Sequence, residues 1–181
     1  VRSGNCTQNC AYCAQSKDSQ AEIEKYKRVS DEKLYGDNDL VDEKHLARHC
    51  IGLSGIGFSD EEIEDLADRI REMKKKDTQI CCSIGFLTEK QARILKDAGL
   101  DRINHNLNSS RSFYPEICTT HTYDQRVNNI KMLQSLGFEI CSGGIVGMGE
   151  SKEDIVDMLM DLREINPESV PINFLLPIPG T

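Results

Sequence analysis

From about residue 59 the chain alternates two hydrophobic rhythms. Ser59-Asp60-Glu61-Glu62 opens a stripe at Ile63, Leu66, Ile70 and Met73. Apolar residues three and four apart behind a serine and a downstream glutamate predict a capped amphipathic helix. Residues 79–84 are a short apolar run, predicted as a strand, and Thr88-Glu89-Lys90-Gln91 starts a second helix that stops at Ala98-Gly99. Glycine there supplies the left-handed turn that ends helices. The pattern continues with a strand over 100–107, a helix over 122–136 stopped by Gly137, a strand over 138–146, a helix over 151–165 and a strand over 169–176. Upstream, residues 50–54 read as a strand and a strand stub precedes Cys6. Residues 17–47 are acidic, and Leu34, Leu40 and Leu46 make only a weak stripe, from which one helix is expected.

Strand–helix units recurring about every 30 residues mean a parallel sheet covered by helices. About six such units are present, whereas a closed (β/α)8 barrel takes at least about 200 residues. The expectation is therefore an α/β chain of the TIM-barrel type, one partial barrel domain over 1–181, truncated at both ends. In that architecture, function gathers at the carboxyl ends of the strands.

Composition narrows the function classes. The chain has 181 residues, 22 Lys+Arg against 30 Asp+Glu, and a formal charge of −8. Without a basic patch, nucleic acid and anionic membranes are not expected partners. No apolar run approaches the roughly 18 residues of a membrane helix, and no signal-peptide pattern is present. Eight cysteines in a chain of this size read as reduced thiols in the cytoplasm, not as a disulfide framework.

Three of these cysteines stand within eight residues, Cys6-Thr7-Gln8-Asn9-Cys10-Ala11-Tyr12-Cys13, just after the first strand stub. Structural zinc normally takes four protein ligands, so three close thiolates suit a cubic iron–sulfur cluster with one iron open to another ligand. The plainer alternative is a zinc knuckle completed from elsewhere. Tyr12 is placed to lie beside whatever binds. Cys50, Cys81 and Cys141 fall on three separate predicted strands. A lone strand cysteine is usually a buried hydrophobe, but three on neighbouring strands can face one interior. Alternation turns only one of Cys81 and Cys82 inward, and periodicity alone does not choose between them. Cys118 reads as structural or incidental.

The Cys-x3-Cys-x2-Cys motif with an aromatic before its last cysteine resembles the cluster-binding motif of the radical S-adenosylmethionine superfamily. Within it, several stretches resemble the biotin synthase family. They are Ile80-Cys81 through Gly85, Asn104-His105-Asn106-Leu107, Phe113-Tyr114-Pro115 through Tyr123, Cys141 through Glu150, and Ser169 through Phe174. The resemblance implies sulfur insertion into dethiobiotin. Cys6, Cys10 and Cys13 would hold a [4Fe–4S] cluster that binds S-adenosyl-L-methionine, and Cys50, Cys81 (chosen over Cys82) and Cys141 a [2Fe–2S] cluster. Tyr12, Asn108, Arg126, Gly144 and Gly147 would contact S-adenosylmethionine, with Arg126 on its carboxylate, and Asn106 and Asn173 would bond the ureido ring of dethiobiotin. An electron donor of flavodoxin or ferredoxin type and a homodimer go with the same resemblance. Read without it, Asn106 and Asn108 could bond local backbone, Arg126 could be a solvated helix residue, and Gly147 could belong to an ordinary turn. His105 alternates away from the asparagines and is expected to pack against the helices. Ile103 departs from the family's usual tyrosine, and the family's fourth inner-cluster ligand, an arginine, lies on a later strand. Sibling enzymes on the same barrel, hydrogenase-maturase-like or methylornithine-synthase-like, are the alternative, followed by a non-catalytic iron–sulfur or zinc protein.

Overall fold

Four strands lie side by side in chain order in the computed structural model, which describes residues 2–4 and 6–181. They are β1 (His49–Gly52), β2 (Ile80–Ser83), β3 (Arg102–Asn104) and β4 (Glu139–Cys141), and every pairing is parallel. A second parallel pair, β5 (Gly144–Val146) with β6 (Ile172–Phe174), continues the curve through single bridges from Asn108 to Gly144 and from Cys141 to Ser169. The strand stub expected before Cys6 is a parallel bridge from Arg2 to Leu53. Helices α1 (Asp31–Glu43), α2 (Asp60–Met73), α3 (Glu89–Asp97), α4 (Tyr114–Ile117), α5 (Tyr123–Ser135) and α6 (Lys152–Ile165) complete the chain. No helix among the described residues is long and apolar enough to cross a membrane.

The helix starts are where the polar signals put them. Ser59, Thr88, Thr122 and Ser151 each cap a helix with a reciprocal bond to the residue three ahead. Each such box occupies two backbone donors that a helix start otherwise leaves unpaired. Helix α2 turns Ile63, Leu66, Ala67, Ile70 and Met73 into the core. Burying a large apolar side chain of this kind stabilises by roughly 1.5–3 kcal/mol, which is ample to fix the face.

Three expectations change. Residues 17–30 are irregular and only Asp31–Glu43 is helical, because the long acidic segment buries just Leu34 and Asn38 from that helix. The strand expected over 100–107 is regular only at Arg102–Asn104, and the one over 138–146 breaks at Ser142-Gly143. At that break the Asn106 Oδ1 accepts the Gly143 N–H at 3.1 Å, and the Asn108 N–H reaches the Gly143 carbonyl at 3.0 Å. A side chain thus replaces one rung of the ladder where the strand breaks between β4 and β5. Finally, α4 was not expected; Pro115 opens this single turn, where its missing N–H costs nothing.

The two faces of the sheet differ in kind. His49, Ile51, Ile80, Cys82, Ile103 and Ile140 point to the helices and are buried. Cys50, Cys81, Ser83, Arg102, Asn104, Glu139 and Cys141 occupy the alternate positions on the inner face. That face is open at its first strand, where Cys50 is exposed, and Phe174 and Leu176, in and just after the last strand, are each 82% exposed.

Three buried histidines tie this core to pH. Burial holds His105 down at about 3 and His121 at about 4, and also lowers His49, so the folded state favours the neutral ring at each. The unfolded chain, with ordinary histidines near 6.5, binds more protons below that pH, and stability must fall as pH falls. Between pH 6.5 and 5.5 we expect a loss of on the order of 1 kcal/mol per fully shifted ring. Urea unfolding at the two pH values measures it, and His105→Asn should reduce the slope; equal stability at both values would contradict this account.

Candidate cluster site and the family of the chain

The three-cysteine loop has no regular structure and is held by the segment that follows α4. The Asn9 side chain donates to Thr119 Oγ1 at 2.6 Å, while its carbonyl oxygen accepts from the Thr119 and Thr120 N–H groups at 3.0 and 3.2 Å. The Ala11 N–H donates to the Ile117 carbonyl at 2.9 Å. Within the loop, Cys13 N–H bonds the Cys10 carbonyl and Ser16 N–H the Cys13 carbonyl. These bonds set the loop over the carboxyl ends of β1, β2 and β3.

Between loop and sheet lies a cavity of about 230 Å³, lined by Cys6, Cys10, Tyr12, Cys13, Asn106, Asn108 and Arg126 among others. Burial pushes the Cys10 thiol up to about 12, with the adjacent Cys118 adding to the effect, and burial also raises Cys13 and the Tyr12 hydroxyl. Such thiols stay protonated unless a cation compensates the thiolate charge. An all-sulfur donor set in a partly dry pocket is therefore suited to an iron–sulfur centre.

Arg126 belongs to this cavity and not to the solvent. From α5 it reaches inward, donating through Nη1 to the Asn106 carbonyl at 3.1 Å, through Nη2 to His121 Nε2 at 2.8 Å, and through Nε to the Tyr114 hydroxyl. Its guanidinium also lies 5.9 Å from the centres of the Phe86 and Tyr114 rings. A planar cation held this way can present a fork to a carboxylate without first being ordered. Asn108 adopts φ 72° and is buried at the cavity edge, a left-handed geometry that asparagine tolerates better than most residues.

On the inner face, Cys50 and Cys81 are register partners across β1 and β2, and Asn104 is the partner of Cys141 across β3 and β4. The Cys81 thiol is raised to about 12, first by burial, then by the Cys50 and Cys141 thiols beside it, while Arg102 acts in the opposite direction. The three sulfurs thus share one neighbourhood, and Asn104 Nδ2 donates to Cys141 Sγ at 3.6 Å. Cys82 is fully buried in the apolar core on the other face. A donor set of three thiols on the inner face of β1, β2 and β4 is one that an inner iron–sulfur cluster could use.

The remaining expected residues are placed differently. Asn106 and Asn173 take inner-face positions, but Asn173, on β6, is exposed and does not line the cavity. Gly144 is buried against α6, where a Cβ would run into the Met158 sulfur, so its lack of a side chain serves helix packing. Gly147 sits at φ 99° in a turn, its N–H bonded to Glu150 Oε1 at 2.6 Å. His105 packs edge-on against Phe86 at 5.1 Å, and its Nε2 has no partner among the described residues. Cys118 is buried with its sulfur 3.7 Å from Cys10 Sγ and 3.0 Å from His121 Nδ1. Neither Cys118 nor His121 stood out in the sequence, although the spacing Cys-x2-His was a usable signal.

Known proteins match on both sequence and shape. A sequence model described as the Radical SAM superfamily matches residues 1–162. The chain is 43% identical over 182 aligned positions to a biotin synthase of Sulfurihydrogenibium sp. (strain YO3AOP1), covering 100% of this chain and 55% of that protein. It is 46% identical to the biotin synthase of Acaryochloris marina (strain MBIC 11017), covering 99% and 52%, and 41% identical to that of Bacillus subtilis (strain 168), covering 100% and 54%. The chain spans about half the length of these curated relatives. Among solved structures, methylornithine synthase superposes with a TM-score of 0.81 at 20% identity, over 97% of this chain and 52% of that one. HydG, a maturase of the [FeFe]-hydrogenase, gives 0.76 at 18%, over 98% and 42%. The shape matches establish the parallel α/β fold of the radical SAM barrel; together with the sequence match over most of its length, they place this chain in the radical SAM superfamily.

Proposed function

We propose that the protein is a biotin synthase, inserting sulfur into dethiobiotin to give biotin. The observation that carries this reading is the inner-face set Cys50, Cys81 and Cys141 below the Cys6–Cys13 loop, in a chain 41–46% identical to biotin synthases. Cys6, Cys10 and Cys13 would hold a [4Fe–4S] cluster, and Cys50, Cys81 and Cys141 a [2Fe–2S] cluster. When bound, the outer cluster with S-adenosylmethionine supplies a 5′-deoxyadenosyl radical and the inner cluster supplies sulfur.

The protein's own residues then bind, orient and exclude water. Arg126 would take the carboxylate of S-adenosylmethionine, held for that task by Tyr114 and the Asn106 carbonyl. Tyr12 would flank the cofactor beside the loop, with Asn108 at its ribose. Gly147, whose φ of 99° and N–H bond to Glu150 set the turn, would let the backbone approach the adenine, whereas Gly144 contributes only main chain because its open side is filled by Met158. Asn106 has already committed Oδ1 to the Gly143 N–H, so the atom it offers dethiobiotin is Nδ2, a donor suited to the ureido oxygen. Asn173, with no side-chain bond among the described residues, would complete the ring contacts. Neutral amides suit a neutral ring, because they avoid burying an unpaired charge. A small flavodoxin-like or ferredoxin-like electron donor, a homodimer and a cytoplasmic setting belong to the same proposal, the last supported by eight free thiols.

The test is an oxygen-free incubation of the reconstituted full-length protein with S-adenosylmethionine and a reductant, with and without dethiobiotin. We expect biotin, and 5′-deoxyadenosine whose formation rises with dethiobiotin. Formation of 5′-deoxyadenosine indifferent to dethiobiotin would move the protein to a sibling activity on the same barrel.

A further inference from the structure

Among the described residues, one group of three potential ligand atoms lies within 4.8 Å of one another: Cys10, Cys118 and His121. It includes one cysteine of the cluster loop and two residues to which the cluster reading gives no role. The Cys10 and Cys118 sulfurs are 3.7 Å apart. Two thiolates on one tetrahedral zinc, each at about 2.3 Å, lie about 3.8 Å from each other. His121 Nδ1 is 3.0 Å from Cys118 Sγ, so the imidazole needs only a small outward shift to join them. Its ring stands edge-on to Phe86 at 5.5 Å and to Tyr114 at 5.9 Å, and Asn9 ties the backbone on both sides together.

We propose that in the cluster-free protein Cys10, Cys118 and His121 form a site for a single thiophilic divalent ion, zinc being the one that fits, with its fourth position open. Soft sulfur plus imidazole is a donor set that zinc favours over harder ions. A metal on Nδ1 leaves the ring hydrogen on Nε2, so Arg126 must release that nitrogen while keeping the Asn106 carbonyl and the Tyr114 hydroxyl. Because Cys10 is shared, zinc here and a cluster on Cys6, Cys10 and Cys13 exclude each other; that consequence alone rests on the proposed function.

The experiment uses full-length protein stripped of iron and sulfide, kept reduced and oxygen-free. Cys50→Ser and Cys141→Ser are included so that inner-face thiols do not compete. Titration with cobalt(II) should fill one site per chain and give a sulfur-to-cobalt charge-transfer band with tetrahedral ligand-field absorption. Zinc(II) should displace the cobalt, with its affinity read against a chromophoric chelator. Cys118→Ala and His121→Gln should each weaken zinc by at least about tenfold, whereas Cys6→Ala should leave the affinity unchanged, with circular dichroism confirming that each variant folds. The proposal is overturned if no tetrahedral cobalt site forms. It is equally overturned if Cys6→Ala or Cys13→Ala abolishes binding while Cys118→Ala binds like the parent, because the ion then sits in the loop triad itself. The readout is metal binding without S-adenosylmethionine, so it can fail while the radical activity stands, and the converse.

Discussion

Cys81→Ala should abolish the inner [2Fe–2S] chromophore, and its neighbour Cys82→Ala should retain it. The two thiols are one residue apart, yet the pleat sends them to opposite sides of the sheet. Cys81 lies on the inner face beside Cys50 and Cys141, which help to raise its thiol. Cys82 is fully buried among the apolar side chains beneath the helices. Losing one of the three proposed thiolate ligands should cost the whole [2Fe–2S] share of the iron and sulfide while the share of the outer [4Fe–4S] cluster stays. Trimming Cys82 leaves a small apolar void, with an expected cost of about 1 kcal/mol in stability and an unchanged visible spectrum. Anaerobic reconstitution followed by iron and sulfide analysis decides the matter. The opposite pattern, loss with Cys82→Ala and retention with Cys81→Ala, would refute the face assignment.

Arg126→Ala should raise the KM for S-adenosylmethionine far more than it lowers kcat. Removing one partner of a buried charged contact costs roughly 2–5 kcal/mol, which is about 30-fold to several thousand-fold in affinity. Arg126→Lys should recover little, because an ammonium cannot reproduce the fork that meets Tyr114, the Asn106 carbonyl and His121 together. Tyr114→Phe separates the two roles of the arginine. It deletes one support but not the proposed carboxylate contact, so its effect on KM should be much smaller. If Arg126→Ala left KM unchanged with the fold intact, the carboxylate would be bound elsewhere.

Much of this architecture was legible in the chain because its signals are local. The capping boxes at Ser59, Thr88, Thr122 and Ser151 and the stripe of α2 need only neighbours a few residues away. The segment from 17 to 47 does hold the one helix expected in it, but its apolar residues are too sparse to fix a period, so the chain did not say that only Asp31–Glu43 would be helical. The interruption at Ser142-Gly143 was invisible for another reason: it depends on Asn106, 37 positions earlier, accepting a strand hydrogen bond. Gly144 read as a residue that lets a ligand come close, yet the atom that fills its space is the Met158 sulfur.

The sequence by itself determined the order of strands and helices, the helix starts, the sulfur-rich loop and the superfamily that loop belongs to. Each of these is written in spacing along the chain, and spacing survives without coordinates. Family resemblance singled out Cys81 and Arg126, but only the tertiary structure supplied their placement: Cys81 on the inner face with Cys82 in the core, Arg126 turned into the cavity instead of the solvent, and Cys118 and His121 against Cys10. Those facts arise where segments more than 100 residues apart in some cases are packed together. Burial, hydrogen-bond pairing and the direction of a side chain are settled by that packing and have no local signature.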